Sequence, residues 1–207
     1  MCIRDRIETL QFADGSSFNL STQGLTLQQT NADDTVNGTS YNDVIYGNGG
    51  HDTINAGEGN DTIIGGIGND TLNGGAGNDT YQYNLGDGFD TISETGGTDK
   101  IVFGEGITQN NLSFEQIGNN LKISINGDEI KGLQINNHFS SSANQVESIE
   151  FADGTTLDLT NADQLIQAMN SFGAGTSSTM DVLSNPTENV SDMYNLASGS
   201  DLIKKAI

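Results

Sequence analysis

The sequence predicts an all-β fold in which a right-handed parallel β-roll is followed by a β-rich segment and a short, partly helical C-terminal tail. Segments rich in Gly, Asp and Asn recur every nine residues, which is typical of a solenoid built from one repeated unit. Polar and apolar residues then alternate with period two, as in strands. Hydrophobic residues make up only 33% of the 207 residues, which would suggest disorder if the fixed period were absent.

The nine-residue period is defined by six aspartates that follow one another without a slip: Asp34, Asp43, Asp52, Asp61, Asp70 and Asp79. Two positions after each aspartate comes a large apolar residue, in order Val36, Ile45, Ile54, Ile63, Leu72 and Tyr81. The clearest copies read GGIGNDTLN at 65–73 and GGAGNDTYQ at 74–82. The register shifts by two residues within 86–92, which we interpret as a final partial turn. Each copy therefore supplies a turn and a short strand.

Glycine at positions one, two and four of a copy permits backbone angles that are closed to other residues, so several carbonyl groups can point into one concavity. The aspartate at position six adds a carboxylate. Calcium prefers about six to eight such oxygen ligands. The candidate metal-site residues are the six aspartates of the period together with Asp87, Asp90, Gly47, Gly49, Gly57, Gly59, Gly65, Gly66, Gly68, Gly74, Gly75 and Gly77.

The motif G-G-x-G-x-D-x-U-x resembles the calcium-binding nonapeptide of the RTX (repeats-in-toxin, haemolysin-type) family. Two repeats make one turn of such a roll, so loops 18 residues apart should stack. One ladder then contains Asp34, Asp52 and Asp70, and the other contains Asp43, Asp61 and Asp79. With a calcium ion between successive loops, we expect roughly four ions, and one more near Asp87 and Asp90.

The charge of the chain indicates that folding needs the metal. Asp and Glu total 28 against 7 Lys and Arg, a formal net charge of -21, and no Lys or Arg occurs between positions 7 and 99. Stacked carboxylates repel one another unless a cation lies between them, so metal binding should be coupled to folding. The same charge makes nucleic acid an unsuitable partner. No run of 18 apolar residues predicts a transmembrane segment.

Other interpretations of these residues are less consistent with the pattern. A metal-free solenoid would need no glycines clustered before each Asp, and no D-x-[DN]-x-[DN]-G run indicates an EF-hand. His51 occupies a variable loop position, and the isolated His138 should be structural or exposed. Glu115, Asp128 and Glu129 could form a glycosidase pair, but a solvated sheet face explains them better. With no catalytic motif in the segment, we expect it not to be an enzyme.

The boundaries follow from an internal match. Residues 7–21, IETLQFADGSSFNLS, resemble residues 146–160, VESIEFADGTTLDLT, at an offset of 139. We therefore interpret 7–28 as the end of a preceding tandem unit, 29–92 as the roll and 93–160 as a β-rich domain. Within the latter, NLSFEQIGNNLKISINGDEI and VESIEFADGTTL resemble the haemolysin-type calcium-binding related domain that follows RTX repeats. Residues 1–6, MCIRDR, look like a translated sequencing adaptor and are excluded from fold reasoning.

Residues 161–207 change to helical spacing. A helix is predicted with Thr160 or Asn161 as N-cap and with one apolar face formed by Ala162, Leu165, Ile166 and Met169. This helix could cap the open end of the preceding sheet. The family resemblance implies instead an uncleaved export signal at such a C-terminus, and both could hold, with the signal after Thr179.

The expected function is that of a non-catalytic, calcium-binding region of a secreted bacterial RTX protein. The resemblance implies type I secretion machinery as a partner, an extracellular or cell-surface location, and folding on calcium after export. Two alternatives remain open. The segment could be the targeting tail of an RTX protease, lipase or epimerase, or it could be a calcium-stiffened segment of an adhesin.

Overall fold

The computed structural model describes residues 9–11, 17–19 and 24–173. The strands of residues 24–173 form two seven-stranded sheets. In spatial order, sheet 1 consists of β3 (Thr26–Gln28), β5 (Val44–Tyr46), β7 (Thr62–Ile64), β9 (Thr80–Tyr83), β11 (Lys100–Phe103), β15 (Ser148–Glu150) and β16 (Thr156–Asp158). Sheet 2 consists of β4 (Thr35–Asn37), β6 (Thr53–Glu58), β8 (Thr71–Ala76), β10 (Phe89–Ser93), β14 (Asp128–Ile135), β13 (Asn120–Ile125) and β12 (Leu112–Ile117).

Successive strands of the repeats alternate between the two sheets. Strands one turn apart pair in parallel, so that Ile54 lies opposite Leu72 in sheet 2 and Ile45 lies opposite Ile63 in sheet 1. Each nonapeptide thus forms one turn and one short strand, and two nonapeptides complete one turn of the solenoid. The predicted parallel β-roll is confirmed.

The interior of the roll is a row of apolar side chains, one from each strand. All six predicted residues at position eight of their copies are buried, from Val36 at 5% exposure to Ile45, Ile54 and Ile63 at 0%. Their neighbours in the strands are more exposed, as the alternation of a pleated strand requires. Each buried aliphatic side chain contributes about 1.5–3 kcal/mol.

The parallel sheets extend past both predicted ends of the roll. Strand β3 precedes residue 29 and pairs with β5, with Leu27 opposite Ile45. Beyond residue 92, β11 continues sheet 1, where Ile101 lies opposite Tyr81 and Ile149. The roll and the β-rich segment therefore share both sheets, because Ile101 and Ile149 are fully buried and prolong the same apolar row.

The β-rich segment closes the two sheets with antiparallel strands. Strands β12, β13 and β14 form a meander, and β15 and β16 form a hairpin. The hairpin is followed by α1 (Ala162–Gly173), which packs against β12. Ala162, Leu165 and Ile166 are buried, as the helical face predicts. The side chain of Met169 and the predicted export signal after Thr179 lie outside the described residues.

A second hairpin near the beginning has the same pairing as the last one. Strands β1 (Thr9–Gln11) and β2 (Ser17–Asn19) pair Thr9 with Asn19, and β15 and β16 pair Ser148 with Asp158. Each pair of positions differs by 139 residues, the offset of the sequence match. The two matching sequences thus form matching hairpins. Residues 1–6 lie outside the described residues.

Candidate metal centre

The aspartates at position six stack into the two predicted ladders. The backbone N–H of Asp34 donates to Oδ1 of Asp52, and that of Asp52 donates to Oδ1 of Asp70, both at 2.8 Å. In the other ladder, Asp43 donates to Asp61 at 2.7 Å and Asp61 donates to Asp79 at 2.8 Å. One carboxylate oxygen of each acceptor therefore holds the preceding turn in register.

The second oxygen of the same carboxylates has no protein partner. Among the described residues, Oδ2 of Asp52, Asp61, Asp70 and Asp79 is buried and accepts no hydrogen bond. A buried carboxylate oxygen without a donor is costly to keep out of water. A row of such oxygens fits a hard cation that would bind them, since carboxylate oxygens are ligands that calcium prefers.

Glycine at position one makes room for this second oxygen. A Cβ added to Gly65 would lie 2.4 Å from Oδ2 of Asp70, and a Cβ added to Gly47 would lie 2.4 Å from Oδ2 of Asp52. Both distances are shorter than side-chain atoms tolerate. The carboxylate thus lies over the first residue of its own copy.

Glycine at position four lets the turns stack closely. Gly68 has a φ of 150°, and a Cβ there would lie 1.7 Å from the carbonyl oxygen of Gly50 in the turn below. Backbone carbonyls of one loop consequently lie against the backbone of the next. This brings carbonyl oxygens into the same region as the aspartates, as the predicted ligand set requires.

One predicted glycine differs in its role. Gly49 stands at position three of its copy, has no positive φ, and a Cβ there would be 3.6 Å from the nearest atom. Gly50, at position four, has the positive φ of 110°. Asn48 takes position two with a φ of 71°, which Asn tolerates better than most residues. The turn glycine of this copy is therefore Gly50, not the predicted Gly49.

The first two copies have carboxylates that are already satisfied. Oδ2 of Asp34 accepts hydrogen bonds from the backbone N–H and the hydroxyl of Thr30 at 2.9 and 2.6 Å. Oδ2 of Asp43 accepts from the N–H of Thr39 at 2.5 Å. The bonds from Thr30 lower the pKa of Asp34. Asp34 and Asp43 were predicted as members of the metal site, and each of them closes its own turn with a threonine at position two.

Both ladders continue past the predicted last copy. Asp70 donates to Oδ1 of Asp90 at 2.9 Å and Asp79 donates to Oδ1 of Asp99 at 2.8 Å, each across 20 residues instead of 18. Asp99 was not predicted. Its signal is nevertheless in the sequence, because Asp99 lies nine residues after Asp90 and Ile101 lies two residues further. The nonapeptide period resumes after the insertion of two residues.

A residue of the β-rich segment ends the second ladder. Oε2 of Glu147 accepts from the backbone N–H of Asp99 at 2.6 Å, across 48 residues. No sequence period indicates this contact. Asp87, in contrast, lies off both ladders, because its Oδ2 accepts from the N–H of Asn84 at 2.6 Å and closes a local turn.

Burial raises the pKa of the inner carboxyl groups, and neighbouring carboxylates add to the effect. The pKa rises to about 6 for Asp61 and Asp70, to about 7 for Asp99 and to about 8 for Asp90. His51 lowers the pKa of Asp70 without cancelling the rise. The ion pairs of the described residues, Lys100–Glu150 and Lys131–Asp128, involve no ladder aspartate. The inner carboxyl groups therefore favour either a proton or a metal cation.

The residues at position five form a further ladder that the sequence did not indicate. The N–H of Asn60 donates to Oδ1 of Asn42, and the N–H of Asn78 donates to Oδ1 of Asn60, both at 2.8 Å. His51, exposed as predicted, accepts from the N–H of Asn69 through Nδ1 at 2.9 Å. Side chains at position five thus hold adjacent loops together.

The remaining candidate residues are not gathered into a site. Glu115 and Glu129 are exposed, and Asp128 pairs with Lys131 at 2.8 Å. His138 is buried beside Leu159, whose carbonyl oxygen lies 3.2 Å from Nε2. Within the part of the chain that the structure describes, no helix has the length and apolar character needed to cross a bilayer.

Comparison with known families agrees with this geometry. A family model for the RTX calcium-binding nonapeptide repeat, four copies long, matches residues 29–63, 47–81 and 56–92. A model for the haemolysin-type calcium binding protein related domain matches residues 120–161. No curated protein shows significant similarity to the chain.

Proposed function

The chain belongs to the RTX, or haemolysin-type calcium-binding, family through its repeats and the related domain behind them, and from this premise we propose that it folds as calcium binds. Repeats of this family bind calcium and are non-catalytic. In the proposed function, the metal holds the stacked turns together and so forms a stiff, extracellular part of a secreted protein.

The observation that supports this proposal is the stacking of buried, unpartnered Oδ2 atoms in each ladder, Asp52 with Asp70 in one and Asp61 with Asp79 in the other. Neighbouring unit charges at the ~4.8 Å spacing of paired strands repel by roughly 3 kcal/mol at an effective dielectric constant of about 20. A divalent cation beside these oxygens removes the repulsion and supplies the missing partner. Calcium would do so at these aspartates together with backbone carbonyls of the glycine loops.

Not every copy should hold an ion equally well. Thr30 and Thr39 already supply donors to Asp34 and Asp43. We therefore place the bound calcium in the loops from position 47 onward, including the loops of Asp90 and Asp99. The proposed number of bound ions is still roughly four, as the sequence predicts. Their proposed positions lie nearer the C-terminal end of the roll than the sequence alone indicated.

Secretion is the second part of the proposal. The family is typically secreted. A chain that folds only where calcium is plentiful stays unfolded in the cytoplasm, where it could be threaded through type I secretion machinery. Because folding is coupled to metal binding, the chain would fold only after export, where calcium is plentiful.

The matching hairpins support a tandem arrangement. Strands β1 and β2 repeat the pairing of β15 and β16 at the offset of 139 residues. We propose that β1 and β2 end one unit and that the residues after them form the next. An array of such calcium-stiffened units would suit an adhesin, which this observation favours over the targeting tail of an enzyme.

Circular dichroism of the chain in chelator and then in excess calcium tests the coupling. We expect the β-sheet signal of the roll to develop only with calcium. Magnesium should substitute poorly, because it requires a tighter octahedral shell. A β-sheet signal of equal strength in chelator would refute calcium-coupled folding.

A further inference from the structure

Two departures from the repeat pattern contact each other at the last turn of the roll. Glu94 stands at position one of its copy, where the copies below it in the same ladder have Gly38, Ala56 and Gly74. Tyr81 stands at position eight, where the five preceding copies have an aliphatic residue. Its hydroxyl donates to Oε1 of Glu94 and accepts from the backbone N–H of Gly74, the latter at 2.7 Å. The tyrosine thereby fixes the carboxylate of Glu94.

The carboxylate of Glu94 meets those of two ladder aspartates. One carboxylate oxygen each from Asp79, Glu94 and Asp99 lies within 4.8 Å of the others. The three residues are at most 2% exposed. Because Tyr81 occupies Oε1 of Glu94, Oε2 is left over, and it is buried without a partner among the described residues, as are Oδ2 of Asp79 and Oδ2 of Asp99. Each of the three clustered carboxylates thus has one buried oxygen without a donor.

Gly74 provides the space for this cluster. A Cβ on Gly74 would lie 2.4 Å from Oδ2 of Asp79, and 2.5 Å from both Oε1 of Glu94 and the hydroxyl of Tyr81. At Gly65 and Gly47, by contrast, the space is taken by the aspartate of the same copy. The region above Gly74 therefore gathers side-chain oxygens from two successive turns.

Among the described residues, no Lys or Arg forms an ion pair with any of the three acids. Lys100 follows Asp99 directly, but its Nζ lies 2.9 Å from Oε2 of Glu150. Three adjacent buried carboxylates with free oxygens are a ligand set for a hard divalent cation.

We propose that Glu94 joins Asp79 and Asp99 in a carboxylate-rich calcium site at the junction of the roll with the β-rich segment. It differs from the repeat loops because position one contributes a side-chain carboxylate. It rests on the proposed function in sharing Asp79 and Asp99 with the second ladder. Calcium sites bind more tightly as the number of charged ligands rises, so this site fills before the loops of the repeats.

The position of the site links the metal to the following segment. The N–H of Asp99 donates to Glu147, and the carbonyl oxygen of Glu94 accepts from Nδ2 of Asn144 at 2.7 Å. An ion bound to Glu94 and Asp99 therefore orders Asn144 and Glu147, which lie just before β15. The first calcium bound organises this end of the roll, from which the remaining turns can stack.

Counting bound calcium by equilibrium dialysis of the full chain tests the site. Glu94→Gln keeps an acceptor for Tyr81 but removes the charge, and Glu94→Ala introduces the residue found at position 56 in the same ladder. Glu58→Gln removes one charge from an exposed residue of the repeats and is the matched control. We expect both Glu94 variants to bind one calcium ion fewer and to lose the binding step that occurs at the lowest calcium concentration in the wild type. Glu58→Gln should bind as many ions as the wild type.

The outcomes separate this site from the proposed function. A full ion count with unchanged midpoints in both Glu94 variants would show that Glu94 is only a hydrogen-bond partner of Tyr81 in the core. A wild-type chain that binds no calcium would overturn the proposed function as well. If Glu94→Gln does not fold at any calcium concentration, the number of calcium ions bound by Glu94→Ala decides whether Glu94 is a ligand.

Discussion

Oδ1 of Asp70 accepts a 2.8 Å hydrogen bond from the backbone N–H of Asp52, one turn away, while Oδ2 of Asp70 is buried without a partner among the described residues. The same carboxylate therefore has two separate tasks. One oxygen sets the register of the stacked turns, and the other is available to a metal. This division explains why one aspartate in each copy can serve both the fold and the site.

Asp61 and Asp34 should respond differently to loss of charge. Asp61→Asn keeps an acceptor for the N–H of Asp43 but removes the charge of an unpartnered Oδ2. We expect the calcium midpoint of folding to rise, since each independent site contributes about 2.7 kcal/mol at 100 times its dissociation constant. Asp34→Asn is the control, because Thr30 already binds Oδ2 of Asp34. Calcium titrations followed by circular dichroism compare them, and equal midpoints would contradict the assignment of the ion to the inner loops.

Acid should stabilise the calcium-free roll and weaken calcium binding. Burial raises the pKa of Asp61 and Asp70 to about 6 and that of Asp90 to about 8. A carboxyl group whose pKa is raised on folding stabilises the fold while it is protonated. That contribution is complete below about pH 4 and is lost as the pH rises through about 6 to 8.

Two pH series measure this linkage. In chelator, the β-sheet signal should be larger at pH 5 than at pH 8. In calcium, the midpoint should move to higher calcium concentration as the pH falls from 8 to 6, because protons compete with the metal for the same oxygens. A calcium midpoint independent of pH over this range would be inconsistent with buried carboxylate ligands.

Two neighbouring turns offer a matched pair of glycine substitutions. Gly68→Ala places a Cβ 1.7 Å from the carbonyl oxygen of Gly50 in a backbone with a φ of 150°. We expect it to destabilise the calcium-bound roll by more than about 1 kcal/mol, through strain and separation of the turns. Gly49→Ala should be tolerated, because its nearest neighbour would be 3.6 Å away. Thermal unfolding in saturating calcium measures both, and equal melting temperatures would refute the stacking.

Removal of residues 180–207 tests the predicted export signal, which lies outside the described residues. The truncated chain should still fold on calcium, since every ladder aspartate and strands β3 to β16 remain. Its export through a matched type I exporter should be lost. The full-length chain in the same cells is the control. Normal export of the truncated chain would refute the signal, and loss of calcium-induced folding would favour a role of the tail as a cap.

Much of the fold and of the site follows from local pattern. The nine-residue period specifies one turn and one strand per copy, and a buried apolar residue two positions after each Asp specifies which face of the strand is inside. Because these features lie within nine residues, they predicted the roll, the two ladders and calcium as the ion. Asp99 could also have been predicted from the sequence, because the nine-residue period resumes there after an insertion of only two residues.

What the pattern could not indicate depends on contacts that form only in the folded chain, either within one turn or between turns. The threonines that satisfy Asp34 and Asp43, the hydrogen bond from Asp99 to Glu147, and the meeting of Tyr81 with Glu94 appear only when the chain is folded. The sequence alone determined that oxygen ligands recur at a fixed spacing. The tertiary structure decided which of those oxygens are left without a partner, because that depends on which donors the same turn and the neighbouring turns place beside them.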